Sequence, residues 1–332
     1  MERSVQKGYS HESSCYEGIR RDRGNGNGRA PFPSAEHGHV VVKVAAAGVN
    51  FMDIGVRQGS TWTDVPNPKV LGVEGAGYVV AVGSGVDEFA PDDRVAWIYG
   101  PGSYSEYISI SATSLVRIPD IVDDRIAASI MMQGLTASHF ATDFYPVQPG
   151  DIALVHAAAG GVGLFLTQII KRRGGHVIGR VSSPEKAAIV KAAGANHVII
   201  DRDGQFANEV LHRTDGVGVN VVYDGSGPKT FQDSLASLCR SGTFCWYGPV
   251  LGGPGPLDLM SLPRSIEIGY ATFFDHIPTT ELLRSRSKQL FDWIEDGSLK
   301  AMIGNTYALA DARQAHADTE SRATTGKLLL IP

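Results

Sequence analysis

The most constraining feature of this sequence is an alternation of short apolar segments with amphipathic segments between about residues 123 and 263. The apolar segments have the length of buried strands, and the segments between them have the apolar spacing of helices. Strands that alternate with crossover helices form a parallel sheet, so we expect an α/β domain here. The predicted strands are Ile152 to His156, His176 to Val181, His197 to Ile200, Val219 to Tyr223 and Thr243 to Tyr247, with helices near 162–173, 184–193, 205–213 and 230–239.

The segments on either side of this domain have a different pattern, and a chain of 332 residues is long enough for about two cores. We therefore expect one discontinuous domain, residues 1–122 plus 264–332, interrupted by the α/β domain at 123–263. Residues 1–38 are polar and rich in glycine, which predicts a loop or a frayed start with weak order. The other predicted elements are strands at Val40 to Val44, Gly77 to Val82, Arg94 to Ile98, Tyr104 to Ile110, Ser265 to Phe274 and Leu328 to Ile331, and helices across 279–296 and 310–320.

Composition excludes several classes of function. The formal charge of -5 opposes general attraction to a polyanion, so a nucleic-acid partner is not expected. No apolar run approaches the roughly 18 residues of a membrane span, and the first residues lack the apolar core of a secretory signal. With three cysteines, the chain has no even disulfide framework and cannot build a four-cysteine zinc site alone. We expect a cytoplasmic protein.

A glycine turn between the first predicted strand and helix carries the clearest chemical signal. The strand at Ile152 to His156 runs into Ala157-Ala158-Ala159-Gly160-Gly161-Val162-Gly163 and then into an amphipathic helix. Gly160 would let the backbone approach a pyrophosphate, Gly163 would let the helix pack closely, and the helix N-terminus offers free N–H groups. The turn therefore predicts a Rossmann dinucleotide-binding domain, although Ala158 stands at the first glycine position.

The end of the second predicted strand favours NADPH over NADH. An NAD site normally has an acid there, but this strand ends Gly179-Arg180-Val181-Ser182-Ser183, with Lys186 one helical turn further. Hydroxyls and a cation suit a 2′-phosphate. As alternatives, Ser183 could only cap a helix and Lys186 could be a solvated surface residue.

Several ordered blocks of the sequence resemble one family. The blocks are Gly48-Val49-Asn50-Phe51-Met52-Asp53, Leu71 to Gly77, Gln133 to Ala137, His156 to Gly163, Ser182 to Lys186, Val222 to Asp224 and Ser321 to Lys327. Over residues 39–332 the chain is similar to the zinc-independent quinone oxidoreductases, the zeta-crystallin-like branch of the medium-chain dehydrogenases/reductases. The resemblance implies a Rossmann doubly wound parallel sheet inserted in a GroES-like, mostly β domain.

The resemblance also implies a reaction, the transfer of a hydride from NADPH to a quinone or an α,β-unsaturated carbonyl without a metal. Zinc dehydrogenases of the superfamily carry a catalytic cysteine and a Gly-His-Glu, whereas the matching stretches here look like Val49-Asn50 and Gly72-Val73-Glu74. A Lewis-acid mechanism needs three protein ligands. No metal site is predicted, and each of the ten histidines is expected to be a surface or hydrogen-bonded residue.

The family's site residues carry over to matched positions. By resemblance, Asn50 and Asp53 are the catalytic residues and lie at the nicotinamide and its ribose. The predicted cofactor-binding set is Asn50, Asp53, Thr136, His139, Gly160, Gly161, Val162, Ser182, Ser183, Lys186, Ser226, Tyr247, Gly248, Phe273 and Arg322. Each has a structural alternative: Asn50 could satisfy backbone groups, Asp53 could cap a helix, and Arg322 could be a surface charge. The position of His139 is often aromatic in the family.

This sequence departs from the family pattern at several positions. Gly55 and Thr61 replace tyrosines that could donate a proton. Asp201 replaces a tyrosine that packs on the adenosine phosphate. The charge of Asp201 could weaken a 2′-phosphate contact unless Lys186 or Arg202 offsets it. A flat substrate is expected near Asn50, Trp62, Tyr99 and Phe274. Alternative functions are an enoyl reductase acting on an acyl thioester, or a catalytically weak NADPH-binding or RNA-binding crystallin-like protein. A homodimer is expected from the family, with Gly242 to Tyr247 and Ser265 to Phe274 as suitable sheet edges.

Overall fold

The computed structural model describes residues 10–16, 26–61, 69–248 and 255–332. The strands are β1 Ser10–Tyr16, β2 Gly26–Pro31, β3 His39–Val49, β4 Lys69–Val70, β5 Glu74–Val82, β6 Arg94–Ile98, β7 Tyr107–Ser111, β8 Leu115–Arg117, β9 Ile152–Val155, β10 His176–Val181, β11 His197–Ile200, β12 Val219–Asp224, β13 Leu238–Trp246, β14 Ile266–Tyr270, β15 Ile303–Ala308 and β16 Lys327–Ile331. The α-helices are α1 Phe51–Gln58, α2 Asp124–His139, α3 Gly161–Arg172, α4 Pro184–Ala192, α5 Ala207–His212, α6 Pro228–Ala236, α7 Thr280–Glu295 and α8 Ala312–Ser321.

The chain divides into two compact units. The first unit comprises Met1–Met132, Leu283–Ser287 and Ile303–Pro332, and the second comprises Gln133–Leu282 and Lys288–Met302. In chain order the second unit is therefore inserted in the first, which confirms the predicted fold class. Both boundaries differ from the predicted ones. The first unit continues to Met132 instead of ending at residue 122, and most of residues 264–302 belong to the second unit.

The first unit is built on a mostly antiparallel sheet of seven strands. Its order is β15-β16-β3-β5-β6-β8, with β7 also paired to β3, and only β15 and β16 run parallel within it. β-branched and aromatic side chains pack well on a pleated surface, and here they fill the core between the sheet and α8. Prominent core residues are Val40, Val42, Val95, Trp97, Tyr104 and Leu115.

A strand pair near the start of the chain corrects the expectation of a loop over residues 1–38. β1 and β2 pair antiparallel, from Ser10 opposite Pro31 to Cys15 opposite Gly26, and β1 also pairs with β4. These segments carry few apolar residues and several glycines. Strand pairing is made by backbone groups, so a segment without an apolar period gives no sequence signal even where it pairs.

The second unit contains a six-stranded parallel sheet in the order β11-β10-β9-β12-β13-β14. The five predicted strands are present, and helices follow β9, β10, β11 and β12. Its core is lined by Leu154, Ile178, Val222, Phe231 and Phe244, among others. No helix in the described part of the chain is both long enough and apolar enough to span a membrane.

The sixth strand, β14, corrects two expectations. Ile266–Tyr270 pairs parallel with β13, although the sequence placed everything after residue 263 in the other domain. The alternation of strand and helix stops at β13, because no α-helix is described between β13 and β14, and this is why the predicted strand over Ser265 to Phe274 was assigned to the other domain. β13 lies between β12 and β14, so the predicted edge Gly242 to Tyr247 is internal to the sheet. The edge strand is β14.

Candidate active site

The glycine turn has the geometry that a bound pyrophosphate requires. β9 ends at Val155 and α3 begins at Gly161, with Gly160 as its N-cap in extended conformation. A Cβ added at Gly161 would lie 1.7 Å from Oε1 of Gln133, and one at Gly163 would lie 2.6 Å from the carbonyl oxygen of Ala157. At Gly163 the clash is with the backbone, so only glycine fits, whereas at Gly161 it is with the end of the Gln133 side chain, which would have to move. The turn has no side chain at either position, where the first N–H groups of α3 lack helical partners.

Two cations and two hydroxyls meet at the end of β10. Ser183 is the N-cap of α4 and its Oγ accepts a hydrogen bond from the backbone N–H of Lys186, so the capping alternative holds. Arg202 Nε donates to the carbonyl oxygen of Ser182 at 2.6 Å. Partial burial and the nearby Arg202 guanidinium lower the pKa of Lys186. Two like charges held this close form a site that an added phosphate would stabilise.

The charge of Asp201 is offset by a residue that the sequence did not suggest. Arg180, on β10, donates to Asp201 Oδ2 through Nε at 2.8 Å and through its terminal nitrogen. Burial alone would raise the pKa of Asp201, but the hydrogen bonds from Arg180 and from the backbone N–H groups of Gln205 and Gly204 bring it below its usual value. Lys186 and Arg202 are therefore not needed to neutralise Asp201.

In the first unit, Asn50 joins a buried ion pair. Lys327 Nζ contacts Glu74 Oε2 at 2.5 Å and Asn50 Oδ1 at 2.7 Å, and Asn50 Nδ2 donates to the same Glu74 oxygen at 2.9 Å. Glu74 Oε1 accepts from the backbone N–H of Met132. Glu74 and Lys327 are 0% and 1% exposed. A Cβ at Gly48 would lie 2.5 Å from Glu74 Oε2, so this glycine is what lets the pair form.

Asp53 begins a second buried network. Its Oδ2 accepts from the backbone N–H of Asn50 at 2.8 Å, which is the capping role considered above, and from the Tyr104 hydroxyl at 2.9 Å. Tyr104 Oη lies 3.1 Å from His316 Nε2, and His316 Nδ1 lies 3.2 Å from Arg57. Oδ1 of Asp53 is buried and has no hydrogen-bond partner among the described residues.

Burial shifts the pKa values of Asp53 and His316 in opposite directions. Complete burial raises the pKa of Asp53 to about 7, against the opposing hydrogen bonds from Asn50 and Tyr104. Burial, helped by Arg57, lowers the pKa of His316 to about 3, so its ring is neutral at pH 7. A neutral His316 can donate from Nε2 to Tyr104 and accept from Arg57 at Nδ1, which leaves the Tyr104 proton for Asp53. Asp53 is thus a carboxyl group that can hold a proton near neutrality.

The other predicted residues divide between the units. Thr136, His139, Ser226, Tyr247, Gly248 and Phe273 lie in the second unit with the glycine turn, whereas Asn50, Asp53 and Arg322 lie in the first. Tyr247 packs on Phe140 with ring centroids 4.6 Å apart, and the Ser226 N–H donates to Asp224. Arg322 is exposed and ends α8 in left-handed conformation, as the surface-charge alternative expects. Trp62 lies outside the described residues.

Sequence reasoning gave no role to Lys327, Tyr104 or His316. Lys327 and Glu74 each fall in a matched block, yet they are 253 residues apart and neither block shows that the other is its partner. The usable signal was the presence of a glutamate and a lysine in blocks that match the family. Tyr104 and His316 carry no local signal, because their partners come from distant segments.

The positions of the catalytic zinc ligands do not fit a zinc ion. Asn50 Oδ1 is held by the Lys327 ammonium group, whose charge repels a cation, and Val73 is buried with no donor atom. Catalytic zinc needs three nitrogen, sulfur or oxygen ligands at about 2.0–2.3 Å. These two positions cannot supply them.

The parallel sheet with its glycine turn and the mostly antiparallel sheet define a two-domain, nucleotide-dependent oxidoreductase of the medium-chain class. Residues 36–120 match the alcohol dehydrogenase GroES-like domain, and residues 193–330 match a model described as zinc-binding dehydrogenase. The chain is 39% identical to quinone oxidoreductase of Pseudomonas aeruginosa over 308 residues, covering 91% of this chain and 94% of that protein. The chain belongs to the quinone oxidoreductase family of the medium-chain dehydrogenase/reductase superfamily, as its sequence predicted.

Two further relatives show the range of this similarity. The structure of Escherichia coli quinone oxidoreductase complexed with NADPH has a TM-score of 0.87 at 33% identity, covering 97% of this chain and 99% of that one. The 2-haloacrylate reductase of a Burkholderia species is 34% identical, covering 89% of this chain and 91% of that protein.

Proposed function

We propose that this protein is an NADPH-dependent oxidoreductase that transfers a hydride to a quinone or to an α,β-unsaturated carbonyl. The observation that carries the choice of cofactor is the pair of interacting cations, Lys186 and Arg202, after the end of β10, where an NAD site has an acid. Of the two acids beside this pair, Asp201 is occupied by Arg180 and Glu185 is hydrogen-bonded to Ser183. A quinone oxidoreductase complexed with NADPH and a 2-haloacrylate reductase among the relatives support the cofactor and the two substrate classes.

The residues of the second unit would hold the cofactor. The bare backbone from Gly160 to Val162 fits a pyrophosphate, and Ser182, Ser183 and Lys186 fit the adenosine phosphate. Bound NADPH supplies the hydride, and the chain supplies orientation and exclusion of water. The family pattern assigns Arg322, in the first unit, to the adenosine phosphate end as well. It assigns to the remainder of the cofactor Thr136, His139, Ser226, Tyr247, Gly248 and Phe273.

Asp53 is the proton donor in this proposal. A quinone or enone that has accepted a hydride carries negative charge on oxygen and needs a proton. Asp53 can hold one near neutral pH because burial raises its pKa to about 7, and its Oδ1 has no hydrogen-bond partner among the described residues. Tyr104 and His316 then position the carboxyl group. This role replaces that of the tyrosines absent at Gly55 and Thr61.

Asn50 acts with Asp53 in two ways. Its backbone N–H fixes Asp53 Oδ2, and its side chain is itself fixed between Lys327 and Glu74. An amide held on both sides loses little rotamer freedom on binding, so it can present one orientation to the substrate or the nicotinamide.

The proposal includes a cytoplasmic homodimer. The edge strand β14 exposes Ile268 and Tyr270, which are 38% and 53% accessible, and an apolar edge strand is an aggregation hazard unless it is covered. Pairing of β14 with its copy would cover it with a closed two-fold interface. Light scattering after size exclusion should give twice the chain mass, and an Ile268→Lys variant should give the monomer.

The experiment that tests the function mixes purified protein with NADPH and a panel of a quinone, an enone and a 2-haloacrylate, and follows cofactor oxidation. We expect turnover with at least one of them and a preference for NADPH over NADH. Failure with every acceptor, in protein that binds NADPH tightly by calorimetry, would instead support the NADPH-binding role without catalysis. Absence of binding to either nucleotide would refute the whole proposal.

A further inference from the structure

A cluster of three potential metal ligands lies in the second unit, whereas Asn50 and Val73, at the positions matched to zinc ligands of zinc dehydrogenases, belong to the first unit. His139 is the last residue of α2, Asp143 follows in a π-helical turn, Phe140–Phe144, and His276 comes from the segment after β14. One ligand atom from each residue lies within 4.8 Å of the others. π-helical turns are rare and occur often at functional sites.

The geometry of the cluster centres on one carboxylate oxygen. Asp143 Oδ2 lies 2.7 Å from His276 Nδ1 and 4.0 Å from His139 Nδ1. In tetrahedral coordination with bonds of about 2.1 Å, ligand atoms are separated by about 3.4 Å. The two separations from Asp143 bracket that value, and the two histidine nitrogens lie within 4.8 Å of each other, so rearrangements of about 1–1.5 Å would close the site around an ion.

The surroundings of the cluster suit a dication of the zinc class. The rings of His139 and His276 are tilted against each other with centroids 5.1 Å apart, and both side chains are buried. The side chain of Asp143 is 34% exposed and gives a route of entry. Aromatic rings of Phe140, Phe144 and Phe273 surround the histidines. The Thr142 hydroxyl lies 3.1 Å from Asp143 Oδ1 and can orient the carboxylate.

We propose that His139, Asp143 and His276 form a binding site for one transition-metal dication, with a fourth coordination position available to water or another oxygen ligand. Two imidazoles and one carboxylate are a donor set that Zn²⁺, Co²⁺ and Ni²⁺ accept, while Mg²⁺ and Ca²⁺ prefer oxygen ligands alone. All three ligands lie in the second unit, and the site does not depend on the proposed reaction.

The test is titration of untagged, chelator-treated full-length protein with Co²⁺, followed by calorimetry and visible absorption. We expect one Co²⁺ per chain, the intense absorption of a four-coordinate site, and displacement by Zn²⁺. Binding of less than one ion per chain, or weak absorption unchanged by Zn²⁺, would overturn the proposal.

Variants locate the ion. His139→Phe, Asp143→Asn and His276→Gln should each weaken Co²⁺ binding at least tenfold, and His139→Phe should fold because the position is often aromatic in the family. His212→Gln, an exposed histidine of the same unit, should bind like the parent protein. Thermal unfolding with Zn²⁺ gives a second measurement, because an ion that binds the folded state raises Tm only where the site is intact. Equal binding by the parent and all three variants, or loss of binding on Cys239→Ser alone, would refute the assignment.

Discussion

Replacement of Lys327 by methionine should destabilise the first unit strongly. The ammonium group is 1% exposed, and its partner Glu74 is 0% exposed. The variant therefore leaves a buried carboxylate whose remaining hydrogen bonds within the described residues come from Asn50 Nδ2 and the Met132 N–H. Removal of one partner of a buried ion pair costs about 3–5 kcal/mol. A unit of this size loses roughly 2–4 °C per kcal/mol, so we expect Tm to fall by about 6–20 °C.

The magnitude is checked against two other variants by thermal unfolding monitored with circular dichroism. Lys43→Met, on the exposed side of β3, removes the same charge without breaking a buried pair and should change the free energy of unfolding by less than about 0.5 kcal/mol. The double variant Glu74→Gln with Lys327→Met removes both charges and should recover a large part of the loss. The reasoning fails if Lys327→Met is as stable as Lys43→Met, or if the double variant is less stable than Lys327→Met alone.

Three further predictions concern the cofactor and the proton. Gly163→Ala places a Cβ 2.6 Å from the Ala157 carbonyl oxygen and should lower stability by about 1–3 kcal/mol and weaken NADPH binding in calorimetry, whereas Gly150→Ala, where nothing lies within 4 Å, should leave NADPH binding unchanged. Lys186→Ala should raise the Kd for NADPH by about 10–100-fold, which corresponds to the loss of one charge-assisted hydrogen bond. The Kd for NADH should stay within about twofold. Equal losses of affinity for both nucleotides would argue against a 2′-phosphate contact. Because the protonated form of Asp53 is the donor and its pKa is about 7, kcat/KM should fall as pH rises through about 7, and Asp53→Asn should be nearly inactive at every pH. The same raised pKa means that the folded state holds this proton more tightly than the unfolded state, so the contribution of Asp53 to stability is complete below about pH 4 and is lost as pH rises to about 7.

The sequence predicted the second unit better than the first for a physical reason. Buried parallel strands such as β10 and β11 are continuous apolar runs with helices between them, and their bounds were predicted to the residue. β1 and β2 consist mostly of polar residues and glycine, so they gave no strand pattern. β14 was predicted as a strand, but it follows β13 without an α-helix described between them, so its place in the parallel sheet was not predicted. Pairing through backbone groups leaves no trace in composition.

The candidate site shows the same division. The glycine turn is local, because Gly160, Gly161 and Gly163 act on a helix that begins among them, and the sequence located it directly. The network from Asp53 through Tyr104 to His316 includes a contact between residues 212 positions apart, and the pKa of Asp53 depends on its complete burial. Such a pKa is a property of the packed unit and cannot be predicted from a motif.

The ion pair of Glu74 and Lys327 explains how this chain can retain a buried glutamate that lies beside the metal site in zinc dehydrogenases, although it has no such metal site. The glutamate of the Gly-His-Glu block is retained, while the positions of the thiolate and imidazole ligands hold Asn50 and Val73. A buried carboxylate that loses a nearby dication must gain another positive charge or be protonated. Lys327 supplies that charge, and Asn50 accepts a hydrogen bond from its ammonium group while donating one to Glu74. The asparagine at the matched cysteine position and this lysine therefore act together, because both are needed to compensate Glu74. The positive charge of Lys327 would have to be removed before a metal ion could bind beside Glu74.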